Sequence, residues 1–214
     1  MTSKHNKTVL LHTNDFRECW KGKFFLPGAK KPFTGTVEVF SDTNPFHLNR
    51  RLTQRLNFKN GDLNGVREEF YENGNLEAKT SYEFDQRHGF GEKFHENGQL
   101  SERLHFKGGE RHGVREWFDV NGILRSRDHY KDGERHGVHE VFYENGKLRL
   151  REHYKDDQLH GAREEFYENG NLEAKTNYEF DQRHGFEEFF DIDENIEVLE
   201  CWKNGHSEWV YISA

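Results

Sequence analysis

A glycine recurs every 24 residues through the middle of this chain: Gly65, Gly89, Gly113, Gly137, Gly161 and Gly185. From Gly89 onward each follows a histidine, in RHG or LHG. Five repeats of equal length run without a gap over 65–88, 89–112, 113–136, 137–160 and 161–184. The stretch REEFYENGNLEAKT stands at 67–80 and again at 163–176. Around it, residues 65–90 and 161–186 agree at 24 of 26 positions, the mark of one repeat copied into another's place. A period of this length means small units that bury a hydrophobic seam only by stacking on their neighbours.

Composition agrees. Charged residues make up 33% of the chain and mean hydropathy is −1.11, yet 14% of residues are aromatic. Disordered chains are aromatic-poor, so a thin ordered structure with a narrow apolar seam is the reading. Within a unit, an Asn-Gly flanked by short alternating runs signals a hairpin. Large apolar residues recur in three series: Phe70, Phe94, Phe118; Leu76, Leu100, Leu124; and Tyr82, Phe106, Tyr130, each continuing through the array. A three-residue loop, Glu72-Asn73-Gly74 with the glycine left-handed, sets Phe70 opposite Leu76 and places all three series on one face. A two-residue loop splits them. The expectation is the three-residue loop with a glycine bulge, and an all-β, elongated single-layer antiparallel sheet of tandem 24-residue hairpins.

These residues resemble the MORN repeat variant family. The pattern is carried by FYENGNLEAKTSYEFDQRHG and FYENGKLRLREHYKDDQLHG, and PFTGTVEVF is similar to the way such chains begin. The resemblance spans roughly residues 16–205. It implies an elongated β-hairpin array that serves as an interaction module. It also implies kinship with bacterial YwqK-type antitoxins, immunity partners of secreted toxins, and brings no active site. The organisation read from the sequence is an N-terminal cap with a half repeat and long loop (1–34), a degenerate repeat with a six-residue insertion (35–64), the five equal repeats (65–184), and a degenerate repeat with a C-terminal cap (185–214). The half repeat would begin near Phe16. In the last repeat the Asn-Gly turn is expected to be lost at DIDEN, and EWVYIS is expected to add a final strand.

Candidate partner-binding residues follow from the pattern. Glu68, Glu92, Glu116, Glu140 and Glu164 each stand three residues after an anchor glycine, a row that could receive basic side chains from a partner. The same row could instead be satisfied within the chain, since buried carboxylates must be paired. Tyr82, Phe106, Tyr130, Tyr154 and Tyr178 are expected on the same face. Phe24, Phe25, Phe33 and Phe46 lie in irregular loops, where they either cap the sheet or meet a partner. Twenty-one large apolar side chains on one face would exceed the patch a monomer exposes. The sheet must curl over them, pair with a second copy as a homodimer, or hold a partner.

Other chemistries find little support. The histidines recur once per unit, roughly 10 Å apart by strand spacing, too far to share one metal ion, so neither metal nor cofactor is expected. No phosphate loop or catalytic constellation breaks the periodicity, so we expect no enzyme. A net charge of −8 disfavours nucleic acid and acidic membranes and favours a basic protein partner. No apolar run suits a signal peptide or a membrane span, and the expectation is a cytoplasmic protein. The reading is a non-enzymatic protein-binding module that neutralises a cognate toxin domain, with a general scaffold for proteins, or less readily for phospholipids, as the alternative.

Overall fold

The computed structural model describes residues 8–12, 19–20, 22–42 and 50–212. Every regular element among them is a β-strand, and consecutive antiparallel hairpins build the fold. The chain divides into two compact units, Met1–Glu110 and Arg111–Ala214. In the first, Gly35–Asp42 pairs with Arg50–Lys59, which pairs in turn with Gly65–Phe70, and the order continues through Leu76–Glu83, Gln86–Phe94 and Leu100–Lys107. In the second, it runs from Glu110–Phe118 through Leu124–Lys131, Glu134–Phe142, Leu148–Lys155, Gly161–Phe166, Leu172–Glu179, Gln182–Phe190 and Ile196–Lys203 to His206–Ile212. The expected final strand is therefore present.

The predicted loop forms. Tyr71 N–H donates to the Asn75 carbonyl at 2.9 Å, Gly74 N–H donates to the Tyr71 carbonyl at 3.0 Å, and Gly74 has φ of 87°. The last repeat corrects one expectation, because the turn is kept where its Asn-Gly is lost. Asp191 N–H donates to Asn195 at 2.9 Å, and Glu194 takes the left-handed position at φ 66°. The Asp191 carboxylate holds this loop shut by accepting from the N–H groups of Asp193 and Asn195 at 2.9 and 2.8 Å, an Asx turn. The linkers between hairpins are themselves tight hairpins. Glu83 faces Gln86 across Phe84 and Asp85, whose φ values of 48° and 65° define a type I′ turn.

The register overturns the single-face expectation. Phe70 does face Leu76, but the next partners are Glu69 with Ala78, so Glu77 is an extra residue on its strand. One extra residue reverses which way every later side chain points. Phe70, Leu76, Glu68, Lys79, Val66 and Ser81 share one face, while Ala78, Thr80 and Tyr82 share the other with Arg67 and Glu69. The irregularity recurs in every hairpin of this kind, at Thr53, Ser101, Arg125, Arg149, Glu173 and Glu197. The first two apolar series thus lie on one face, here the outer, and the third on the inner. Among the described strand residues, the buried side chains all lie on the inner face: Val37, Val39, Leu56 and Phe106 in the first unit, where Phe24 and Phe33 are buried against them, and Asp128, Tyr130, Ala174, Thr176 and Glu187 in the second.

The repeats are stitched along both rows of turns. Tyr71, Tyr143 and Tyr167 hydroxyls donate to the carbonyls of Phe94, Phe166 and Phe190 at 2.7, 2.6 and 2.8 Å. Asn75 Nδ2 reaches the Glu96 carbonyl at 2.7 Å. In the opposite row, Asp85 accepts from Leu63 N–H at 2.6 Å, Asp157 from Arg135 N–H at 2.8 Å, and Asp181 from Leu159 N–H at 2.8 Å. One further element lies outside the repeat pattern. Thr8–His12 pairs in parallel with Gly35–Asp42 and covers that edge.

Position 194 offers a test of the loop. Glu194→Gly removes a left-handed penalty of about 1 kcal/mol, partly offset by glycine's greater freedom when unfolded, for an expected net gain of about 0.5 kcal/mol. Gly74→Val imposes the same penalty on a β-branched residue and should cost about 1–2 kcal/mol. Urea denaturation of the full chain measures both.

Candidate functional site

The outer face carries an ordered ladder of charge. In the first unit, Arg55 bridges Glu38 at 3.0 Å and Glu68 at 2.7 Å, while Glu92 accepts from Lys79 at 2.6 Å and Arg103 at 2.9 Å. In the second unit, Arg127 lies 3.3 Å from Glu116 and 3.4 Å from Glu140, and Arg151 lies 3.4 Å from Glu140 and 3.3 Å from Glu164. Glu68, Glu92, Glu116, Glu140 and Glu164 are thus engaged by cations of the chain itself. Desolvation pushes the Glu92 carboxyl up, but Lys79 and Arg103 outweigh it and hold it below the ordinary carboxylate range. Hydrogen bonds to Glu38 and Glu68 raise the Arg55 guanidinium.

The basic row of Arg55, Lys79, Arg103, Arg127, Arg151 and Lys175 is as periodic as the glutamates. On an unbulged strand it would point away from them. That mismatch of complementary charges was the available sign that the strand carries an extra residue. Beside the ladder runs an apolar stripe, one residue after each anchor glycine: Val66, Phe90, Val114, Val138, Ala162 and Phe186. Phe90 is 59% exposed and Phe186 50%. The ladder and stripe frame two shallow hollows, of about 440 Å³ around Val66, Phe90 and Glu92, and about 660 Å³ around Val138, Glu140 and His153.

The aromatic candidates lie on the inner face instead. Guanidinium planes cover several of them: Arg87 over Phe106 at 4.2 Å, Arg111 over Tyr130 at 5.1 Å and Arg135 over Tyr154 at 5.2 Å. These are the arginines of the RHG triplets, so the triplet supplies a lid for the ring of a neighbouring strand. Phe106 is 4% exposed and Tyr130 7%. Tyr82 and Tyr178 share that face, opposite Gly65 and Gly161. The structure therefore does not bring the glutamate row and the tyrosine row together.

The loop candidates divide. Phe24 and Phe33 are buried with Val37, Val39 and Leu56. Phe24 stacks on Phe58 at 4.6 Å and meets Phe33 edge-on at 5.8 Å. They cap the first unit's inner face. Phe25 is half-buried beside them. Phe46, like most of the insertion and the proposed start near Phe16, lies outside the described residues.

Both histidine ladders have structural work. His129 and His153 donate from Nδ1 to the carbonyls of Val138 and Ala162, each at 2.8 Å. Asn57 and Asn177 make the equivalent bond to Val66 and Phe186 at 2.6 and 3.3 Å. Near the anchor glycine the ladder is interrupted, with His129 alone against residues 136–138, which leaves that carbonyl in need of a donor, and either side chain supplies it. The RHG histidines sit half-exposed at the turns, with His136 3.1 Å from Asp156. Among the described residues no group of three His, Cys, Asp or Glu side chains could hold a metal ion.

Residues 63–83, 87–107, 111–132, 135–156 and 159–179, half of the chain, match the MORN repeat variant family. The chain belongs to that family. MORN repeats are in general protein- or lipid-binding modules. No curated protein matches the chain. Among solved structures, a point mutant of S. aureus TarM in complex with fondaparinux, alpha-GlcNAc-glycerol and UDP is similar at 15% identity and a TM-score of 0.32, over 45% of this chain and 19% of that one. A crystal structure of TarM is similar at 17% identity and a TM-score of 0.30, over 44% and 20%. The chain spans about a fifth of those proteins' length, and likeness at such TM-scores bears on neither fold nor function.

One inner-face site of these MORN repeats was not singled out from sequence. Asp128, 2% exposed, accepts from His139 Nδ1 at 2.7 Å and from Arg115 at 3.1 Å. Burial pushes its carboxyl up, but His139 and the nearby guanidiniums of Arg115 and Arg135 prevail and hold it down. Leu56, Thr80, Leu104, Glu152, Thr176 and Glu200 take the equivalent place in the other repeats, so periodicity gave no signal.

Asp128→Ala takes the carboxylate from His139 and removes one contact of the partly exposed Arg115, and should cost roughly 2–3 kcal/mol. Arg127→Ala on the half-exposed outer ladder should cost less than about 1 kcal/mol. With folded values depressed, the Glu92 and Asp128 contributions are complete above the ordinary carboxylate pKa near 4 and fade as pH falls through the depressed values. Urea midpoints should therefore drop below about pH 4, and less steeply in Asp128→Asn than in the parent.

Proposed function

We propose that this MORN repeat protein acts without chemistry, as an immunity protein or antitoxin that binds a cognate toxin domain and blocks it by occupying its surface. The observation that carries the reading is the outer face. Its charges are already paired in a ladder, and an apolar stripe, exposed at Val66 and Phe90 in one unit and at Val114 and Phe186 in the other, runs alongside in each. A pre-paired surface loses little conformational entropy when it is covered, which suits tight and lasting recognition. Inhibition by coverage needs area and rigidity rather than a poised nucleophile or base. The excess of negative charge favours a basic partner and speeds its arrival. The resemblance to YwqK-type antitoxins narrows the general binding role to this one, and the site of action would be the cytoplasm of the producing cell.

Co-expression tests it. The chain, produced together with a toxin-like C-terminal domain encoded beside it, should restore growth of cells that the domain alone arrests. A double substitution on the stripe, Phe90→Glu with Val114→Glu, should weaken rescue while leaving the melting temperature within a few degrees, as expected for exposed positions. Equal arrest with and without the chain would overturn the reading for that pair.

A further inference from the structure

The last repeat departs from the others in three independent ways. Residues 185–212 hold eight carboxylates and one cation, Lys203, a net −7 out of the chain's −8. The charge ladder also ends there. Glu188 faces Leu199 and Leu199 faces Tyr211, so the positions that carry a cation and a glutamate in the earlier repeats are apolar. Finally, the strand His206–Ile212 is exposed along its whole length, and among the described residues it pairs only with Ile196–Lys203.

Its outer half is four consecutive apolar residues, Trp209 to Ile212, between 46% and 70% exposed. Trp209 meets Phe186 edge-on at 6.1 Å, which extends the exposed stripe of the outer face into an aromatic ledge beside the strand. Free sheet edges in soluble proteins are ordinarily blunted by lysine, proline or a bulge. Trp209–Ile212 carries no such residue, the strand's bulge lying before it at Glu208. The edge formed by Gly35–Asp42, by contrast, is covered by Thr8–His12.

We propose that this C-terminal edge receives a basic, extended segment of a partner protein, which adds to the sheet as a further strand. Backbone hydrogen bonds along Trp209–Ile212 would supply the attachment, and alternate apolar side chains of the segment would rest on the Phe186–Trp209 ledge. The surrounding carboxylates select lysine and arginine in the remaining positions. The same charge argues against a second copy as occupant, because two ends of net −7 repel when brought edge to edge. The proposal rests on the binding role above only in requiring a protein partner.

The test uses the full chain and three labelled ten-residue peptides: alternating lysine and valine, the same peptide N-methylated at alternate residues, and alternating glutamate and valine. The lysine peptide should bind in fluorescence anisotropy, and weaken as salt rises from about 50 to about 300 mM. The methylated and glutamate peptides should bind about tenfold more weakly or worse, since one cannot extend a sheet and the other has the wrong charge. Tyr211→Lys should weaken the lysine peptide by about tenfold at unchanged melting temperature, while Phe90→Lys, on the stripe of the first unit, should not. Equal binding of the methylated peptide, no binding of the lysine peptide, or an equal loss in Phe90→Lys overturns the proposal. So does sedimentation that shows a dimer abolished by Tyr211→Lys. Toxin rescue without peptide binding would sink the edge and leave the antitoxin reading standing; peptide binding without rescue would do the reverse.

Discussion

One extra residue per hairpin, at Glu77 and its counterparts, decides what each face of this protein is made of. Side chains in a strand alternate, so an inserted residue exchanges the faces of everything beyond it. Here the exchange sends the aromatic series of Tyr82 and Phe106 inward. It brings Lys79 and Arg103 outward, against Glu92. Without it the glutamates would face aromatic rings and the cations would stand alone on the opposite side. The bulge thus separates a face held by burial from a face held by charge.

The inner face has few purely apolar contacts to offer. It makes up the difference with long polar side chains used for their flat surfaces and their stems. Arg87, Arg111 and Arg135 lie over rings, and Asp128 is sunk among His139 and Arg115. Such groups stabilise only when every partner is in place, which ties the geometry of each repeat to its neighbours more strictly than aliphatic packing would. The outer ladder contributes less energy per pair, being half-exposed. Its value lies in fixing register, since a slip of one residue would carry each cation to the other face, away from its glutamate.

Much of the scaffold was legible in the sequence. The period, the three-residue loop and the final strand follow from spacing alone, because glycine at a left-handed position and alternation in a strand are local requirements. The facing of Tyr82 was not legible from apolar residues, since Glu77 looks like any exposed strand residue. Only the complementary periods of Glu and Lys/Arg carried that information. The turn at 191–195 was hidden for a different reason: Asp191 does with its side chain what Asn-Gly does elsewhere. The cap formed by Phe24 and Phe33, the parallel strand at Thr8–His12 and the Asp128 site depend on contacts without a repeating counterpart, and a period says nothing about those.

The hydrogen bonds that stitch the turns, Tyr71 to Phe94 and Tyr143 to Phe166, span a constant offset in sequence. Where the tyrosine is present, at Tyr71, Tyr143 and Tyr167, a repeat meets its successor through a backbone carbonyl, a group every repeat offers. Such a junction survives insertion or loss of a whole repeat, so the length of the array can change in evolution without new interfaces having to be invented there. That freedom explains how residues 161–186 came to be almost a transcript of 65–90. It also carries a hazard during folding. Two nearly identical segments compete for the same places, within one chain and between chains, so exchange of strands between molecules is the misassembly to which this architecture is most exposed.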